Sequence, residues 1–158
     1  SGGQMQRVAI ARALVNNPPV SIVSKESDSM PDGQAAFFSP KDGCIYVKKG
    51  MDVNAIFKNL IPELVYAEHA DGDKNYDCRE DAFHAKCVSY MICRKYGIDT
   101  KDFDFQQAPE FFKDKEPKEM KKDLSRIKNS MGNISSRMAK VLEVNKEKQY
   151  SSSERGTR

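Results

Sequence analysis

Tryptophan is absent from the 158 residues, and histidine occurs only twice. The four cysteines, Cys44, Cys78, Cys87 and Cys93, form no CxxC pair. That argues against a zinc knuckle, and their place in apolar-periodic segments predicts buried, reduced thiols rather than a disulfide framework. No apolar run reaches the roughly 18 residues that a membrane-spanning helix needs, so no membrane insertion is expected. Nor does the N-terminus read as a secretion signal, because Arg7 and Arg12 interrupt its apolar pattern. A cytoplasmic location is the expectation. An initiator Met is missing too, since the chain opens at Ser1, which fits a piece of a longer product. A net charge of +3 is too small to argue for a nucleic-acid partner. Basic residues clearly outnumber acidic ones over residues 113–148. That stretch reads either as a solvated helix face or as a phosphate-contacting surface.

What remains is enough for one ordinary domain. Met5, Val8, Ile10, Ala11, Leu14 and Val15 recur at near-helical spacing and stop before Pro18 and Pro19, which predicts a short helix over residues 4–15. The period then changes. Short strands are expected at residues 20–23, 35–38 and 44–48, the last two joined by a hairpin at Asp42-Gly43, where Gly accepts positive φ. Asp52 is a plausible N-cap for a helix with Ile56, Phe57, Leu60, Ile61, Leu64 and Val65 on one stripe. Pro62 interrupts that stripe and predicts a kink or a restart. A second helix is expected over residues 79–96, with Phe83, Cys87, Tyr90 and Met91 inward and Gly97 as C-cap. Phe103, Phe105, Phe111 and Phe112 in the following loop are expected to cover the sheet or the helix pair. Met120, Leu124, Ile127, Met131, Ile134, Met138 and Val141 then alternate by four and three, a heptad pattern. Such a helix either packs on its own domain or offers residues 120–141 for oligomerisation. Beyond Lys146 the polar tail is expected to be disordered.

Residues 1–18, opening Ser1-Gly2-Gly3-Gln4-Met5-Gln6-Arg7 and ending Asn17-Pro18, resemble the signature segment of ABC-transporter ATPases. There, a Ser hydroxyl and Gly amides at a helix N-terminus present donors to a phosphate. The resemblance implies Ser1, Gly2, Gly3 and Gln4 as a nucleotide-facing segment acting on a partner subunit's nucleotide. No GxxxxGK[ST] loop accompanies it, and the strand at residues 20–23 is followed by Ser24, Lys25 and Glu26 rather than by Asp-Glu. The segment is therefore expected to be non-functional on its own.

A second resemblance covers residues 18–142. Met30-Pro31-Asp32-Gly33, the Asp-Gly hairpin, Lys49-Gly50-Met51-Asp52, Pro62-Glu63-Leu64-Val65-Tyr66-Ala67-Glu68 and the run from Ala85-Lys86-Cys87-Val88-Ser89-Tyr90 to Gly97-Ile98-Asp99 follow one order. That order resembles the zincin-like metallopeptidase domain of LtrC-like and ArdC-like proteins encoded on conjugative elements. The resemblance implies a degenerate zincin-like α+β fold, a small antiparallel sheet packed on two central helices plus a long C-terminal helix. Three units are expected: residues 1–19 as a loosely attached ABC-signature-like helix, 20–145 as the zincin-like domain, and 146–158 as the tail.

A zincin holds its ion with two histidines one turn apart and polarises water with the intervening glutamate, HExxH. Here the matching string is Pro62-Glu63-Leu64-Val65-Tyr66, and only the base survives. Glu63, Glu68, His69 and His84 are the candidate substitutes for a metal set. Glu63 and His69 stand six residues apart, about 120° around a helix, and cannot meet on one ion. No metal, no cofactor and no catalytic residue is therefore expected. Glu63, Tyr66 and His84 are expected instead to form a vestigial hydrogen-bonded cluster where zinc would sit, or else Glu63 is exposed and His84 an unrelated surface residue. A thiol nucleophile would have to pair Cys87 or Cys93 with His84, and no third, orienting group is in sight. The expected function is a non-catalytic scaffold or binding module of a conjugation-associated protein. Its partners would be an unidentified protein or adjoining domains, with DNA contact implied by family context alone. The alternatives are a fragment of an ABC ATP-binding subunit and an unconventional metal-dependent hydrolase.

Overall fold

The computed structural model describes residues 2–16 and 20–156. In chain order the elements are α1 (Gly2–Asn16), β1 (Ser21–Lys25), β2 (Ala36–Ser39), β3 (Cys44–Lys48), α2 (Val53–Ala70), α3 (Ala82–Lys95), α4 (Ala108–Phe112) and α5 (Pro117–Arg155). A 3-10 turn, Cys78–Asp81, leads into α3. The architecture is α+β.

The sheet has the order β1-β3-β2. β2 and β3 form the expected hairpin, pairing Phe38 with Ile45 and Ala36 with Val47. Gly43 takes φ 65° in the turn, and Asp42 accepts from the Ser39 hydroxyl at 2.9 Å and from the Tyr46 hydroxyl at 2.8 Å. β1, however, pairs parallel to β3, so the sheet is mixed rather than antiparallel. Strand spacing cannot reveal this. Direction is set by the connection, and the chain from β1 to β2 passes through two 3-10 turns, Ser27–Ser29 and Pro31–Gly33, before β2 enters on the far side of β3.

Asp52 caps α2 through its side chain, accepting from the Ala55 amide at 2.8 Å. Of the two expected outcomes at Pro62, a kink or a restart, the restart does not occur, and one helix runs through the proline. Phe57, Leu60, Ile61, Leu64 and Val65 are buried on both sides of the proline and hold the helix together. Pro62 itself lies with Lys58 and Asn59 on a cleft-facing side, where a lost backbone bond is not sealed in the core. α3 ends as expected, with Gly97 at φ 70° and the Ile98 amide returning to the Cys93 carbonyl at 2.9 Å. Its inward face differs from the expected one. Ala85, Val88, Ser89, Ile92 and Cys93 are buried together with His84, whereas Phe83, Cys87, Tyr90 and Met91 are half-buried. The aromatic loop explains the difference. Phe103 and Phe105 flank Tyr90, and Phe111 and Phe112 pack on Phe83, so a second apolar layer covers what would otherwise be an outer face. Cys78 is exposed, contrary to the expectation of buried thiols, because it sits in the polar turn before α3.

α1 is not loosely attached. Ile10, Ala11 and Leu14 belong to the same hydrophobic core as β2, β3, α2, α3 and α5, and Arg7 donates to the Tyr96 carbonyl at 3.5 Å. Residues 17–19, where the sequence places the stop and the unit boundary, lie outside the described residues. α5 starts with Pro117 and a reciprocal Glu116–Glu119 capping box. Its heptad face is used inside the chain: Ile127, Ile134 and Met138 are buried, while Leu124 is 56% exposed. The side chain of Val141 lies outside the described ones. The helix continues to Arg155, through most of the stretch expected to be a disordered tail. No Gly or Pro intervenes between Lys146 and Arg155, and Lys, Glu, Gln and Arg are good helix formers.

If α1 is part of the core, Ile10→Ala lowers unfolding free energy by about 2–4 kcal/mol, whereas Met5→Ala, at a residue 67% exposed, stays within about 0.5 kcal/mol. Urea denaturation followed by circular dichroism checks both. Equal effects would place α1 outside the cooperative unit.

Candidate functional site

Three helices converge on the carboxylate of Asp81. His69 projects from the last turn of α2, His84 lies in the first turn of α3, and Asp123, Arg126 and Ser130 lie on α5. Asp81 itself ends the 3-10 turn ahead of α3, three residues before His84, so both side chains fall on one face. His69 Nδ1 lies 3.1 Å from Asp81 Oδ2. His84 Nδ1 lies 3.2 Å from Asp81 Oδ1. The outer nitrogens are also held: His84 Nε2 is 3.0 Å from Asp123 Oδ1, and His69 Nε2 is 2.9 Å from Ser130 Oγ. The Tyr76 hydroxyl donates to Asp81 Oδ2 at 2.7 Å, and Lys115 Nζ donates to Asp123 Oδ2 at 2.6 Å. Phe111 roofs the cluster, edge-on to the His84 ring at 5.6 Å between centroids and under Lys115 Nζ at 3.7 Å.

The electrostatics follow from burial and partners. Burial pushes Asp81 toward its neutral form, yet the Tyr76 hydroxyl and the charges of His69 and Arg126 outweigh it and hold the carboxyl below its ordinary range. Asp123 behaves alike: burial raises it, while Lys115 and His84 more than compensate. Two ionised carboxylates therefore sit on the imidazoles. His84 has one on each ring nitrogen, and both contacts are hydrogen bonds only if the ring carries two protons.

The expected vestigial cluster is only half assembled. Glu63 and Tyr66 do share a cleft of about 400 Å³ with Gln34, Phe38, Lys58, Pro62 and Cys78. Glu63 takes its hydrogen bond from the Phe38 amide of β2, at 2.7 Å, rather than from Tyr66 or His84. Burial pushes the Glu63 carboxyl up to about 7, opposed by that amide. Burial, with the charge of Glu63 added, pushes the Tyr66 hydroxyl up to about 12. His84 is drawn away by Asp81 and Asp123. The residues at 62–66 do not fit a zincin's ion: they offer a proline, a carboxylate already bonded to the backbone and a phenol held neutral. Glu68 accepts from the Asn133 side-chain amide at 3.0 Å. Cys87 and Cys93 have their thiols pushed up by burial, the reverse of what an activated nucleophile needs. At the N-terminus Gly3 and Gln4 are exposed in the first turn of α1. Ser1 lies outside the described residues, as does the side of Gly2. Cys44 is buried in β3.

Asp81, Asp123, Arg126 and Ser130 escaped the sequence reading. The signal for Asp81 was present in its spacing from His84, but the α5 contributions are long-range and leave no local trace. No helix among the described residues is long and apolar enough to cross a membrane. Comparison with protein-family models, with curated proteins and with solved structures finds no match for this chain.

Two stability predictions follow from this geometry. Glu63 moves from an ordinary 4.5 to about 7 on folding, so between those values the folded chain holds the proton more tightly than the unfolded one. Its contribution is fully favourable below the lower value and is lost as pH rises through the upper one. Glu63→Gln should thus raise stability by about 2 kcal/mol above neutrality and by far less in mild acid, which urea midpoints across that range measure. Asp81→Ala strips the shared carboxylate from two imidazoles and a guanidinium and should cost about 3–5 kcal/mol by the same assay.

Proposed function

We propose that this chain is a non-catalytic, zincin-like scaffold or binding module of a conjugation-associated protein. One observation carries the reading. Both imidazoles that the chain possesses are committed to Asp81, away from the cleft where Glu63 stands as the one remnant of HExxH. Glu63 has no imidazole beside it to help hold a metal, and with its carboxyl shifted to about 7 it is partly protonated at neutral pH. The cleft then serves as a recess for a ligand or partner surface rather than as a reaction site. Adjoining domains or another protein are the partners this reading calls for, and DNA contact rests on the family resemblance.

The transporter alternative gains nothing from the fold. Ile10, Ala11 and Leu14 are spent on the common core, and the chain has no loop to cradle a phosphate.

Incubated with zinc and a fluorescent unfolded protein substrate, the purified chain should show no hydrolysis above buffer, and Glu63→Gln should leave that background unchanged. Hydrolysis that disappears in Glu63→Gln would overturn the reading. Millimolar ATP with magnesium should leave the melting temperature in place, whereas a saturable upward shift would favour the transporter fragment.

A further inference from the structure

We infer that His69, Asp81 and His84 form a site for one divalent transition-metal cation of the zinc class, separate from the Glu63 cleft and buried where α2, α3 and α5 meet. Each residue offers one ligand atom, and these atoms lie within 4.8 Å of one another. Tetrahedral zinc with bonds of about 2.0–2.1 Å spaces its ligand atoms roughly 3.3 Å apart. The two imidazole-to-carboxylate separations, 3.1 Å to Asp81 Oδ2 and 3.2 Å to Asp81 Oδ1, each have that spacing, and drawing all three groups onto one ion takes a small rotation of the carboxylate. The side chains of His69, Asp81 and His84 are only 8%, 7% and 3% exposed, so their positions are fixed by packing.

The outer contacts are those of metal-bound imidazoles. A histidine that gives one nitrogen to a metal usually donates its other N–H to a carboxylate, hydroxyl or carbonyl, which sets its tautomer. His84 Nε2 meets Asp123, itself pinned by Lys115, and His69 Nε2 meets Ser130. A metal bound here would take both Nδ1 lone pairs, with the remaining ring protons directed outward at Asp123 and Ser130. The Tyr76 hydroxyl holds Oδ2 of the Asp81 carboxylate.

The positive charge beside this carboxylate is supplied by Arg126. Its guanidinium lies 3.4 Å from Asp81 Oδ1 and 3.3 Å from His69 Nδ1. A guanidinium only donates, so that approach treats Nδ1 as an acceptor. Arg126 thus stands in for a cation at the mouth of the site. Its side chain is 45% exposed and can turn into solvent when an ion enters. Two nitrogens and one oxygen suit zinc or its neighbours in the first transition row better than magnesium or calcium, which prefer all-oxygen shells.

The test uses the full chain, stripped with chelator and titrated with zinc against a competing chelating dye, with bound metal counted by elemental analysis after dialysis. One equivalent is expected. His69→Ala and His84→Ala should each weaken binding at least about 100-fold, and Asp123→Asn by about 10–100-fold. Arg126→Gln, which removes a competing charge from an exposed arm, should strengthen binding roughly tenfold. Glu63→Gln should bind as the parent does. No zinc uptake by the parent, retention of full affinity in both histidine variants, or loss of binding in Glu63→Gln would each overturn the site. Should the histidine variants fail to fold by circular dichroism, Arg126→Gln decides, and unchanged or weaker binding there also overturns it.

Discussion

The interior of this protein is organised around one negative charge. Asp81 is buried, and a buried carboxylate is tolerated only when it is paired and hydrogen-bonded. Here the pairing is supplied by three different elements: α2 through His69, α3 through His84 and α5 through Arg126. Removing any one of them would leave the others facing unsatisfied charge. The cluster therefore fixes the relative placement of the helices in a way that the surrounding apolar contacts, which are less directional, do not.

That constraint also decides where the chain's chemistry lies. Imidazoles are scarce in this sequence, and a carboxylate that claims both leaves neither to the Glu63 cleft. Phe83 and Phe111, stacked at 4.2 Å between centroids, close the cluster from the loop side and keep it out of bulk solvent. The short α4 helix is thus the roof of the polar centre. Its aromatic residues do two things at once, burying apolar area on α3 and lowering the local dielectric around Asp81 and His84.

Much of the fold was legible because it is written locally. Asp52 announced the start of α2, Asp42-Gly43 the hairpin, Gly97 the end of α3, and the four-three alternation of Ile127, Ile134 and Met138 the core stripe of α5. What escaped was long-range. The parallel pairing of β1 depends on a connection, the burial of His84 rather than Phe83 depends on a loop that arrives later, and the retention of α1 depends on α5. The same holds for the polar centre. Glu63 and Tyr66 share a cleft, as one-turn spacing implies, but His84 was assigned to them only because Asp123, nearly forty positions on, left no mark near it.

Glu63 has one more structural effect. β2 lies at a border of the sheet, with β3 on its other side, and its Phe38 amide is claimed by a side chain of the same molecule. A border strand with free amides invites a foreign strand to join, the first move in fibre growth and in domain exchange. Here an incoming chain would first have to displace the Glu63 carboxylate, which accepts from that amide at 2.7 Å. Glu63 thereby acts as a stopper on that edge of the three-stranded sheet.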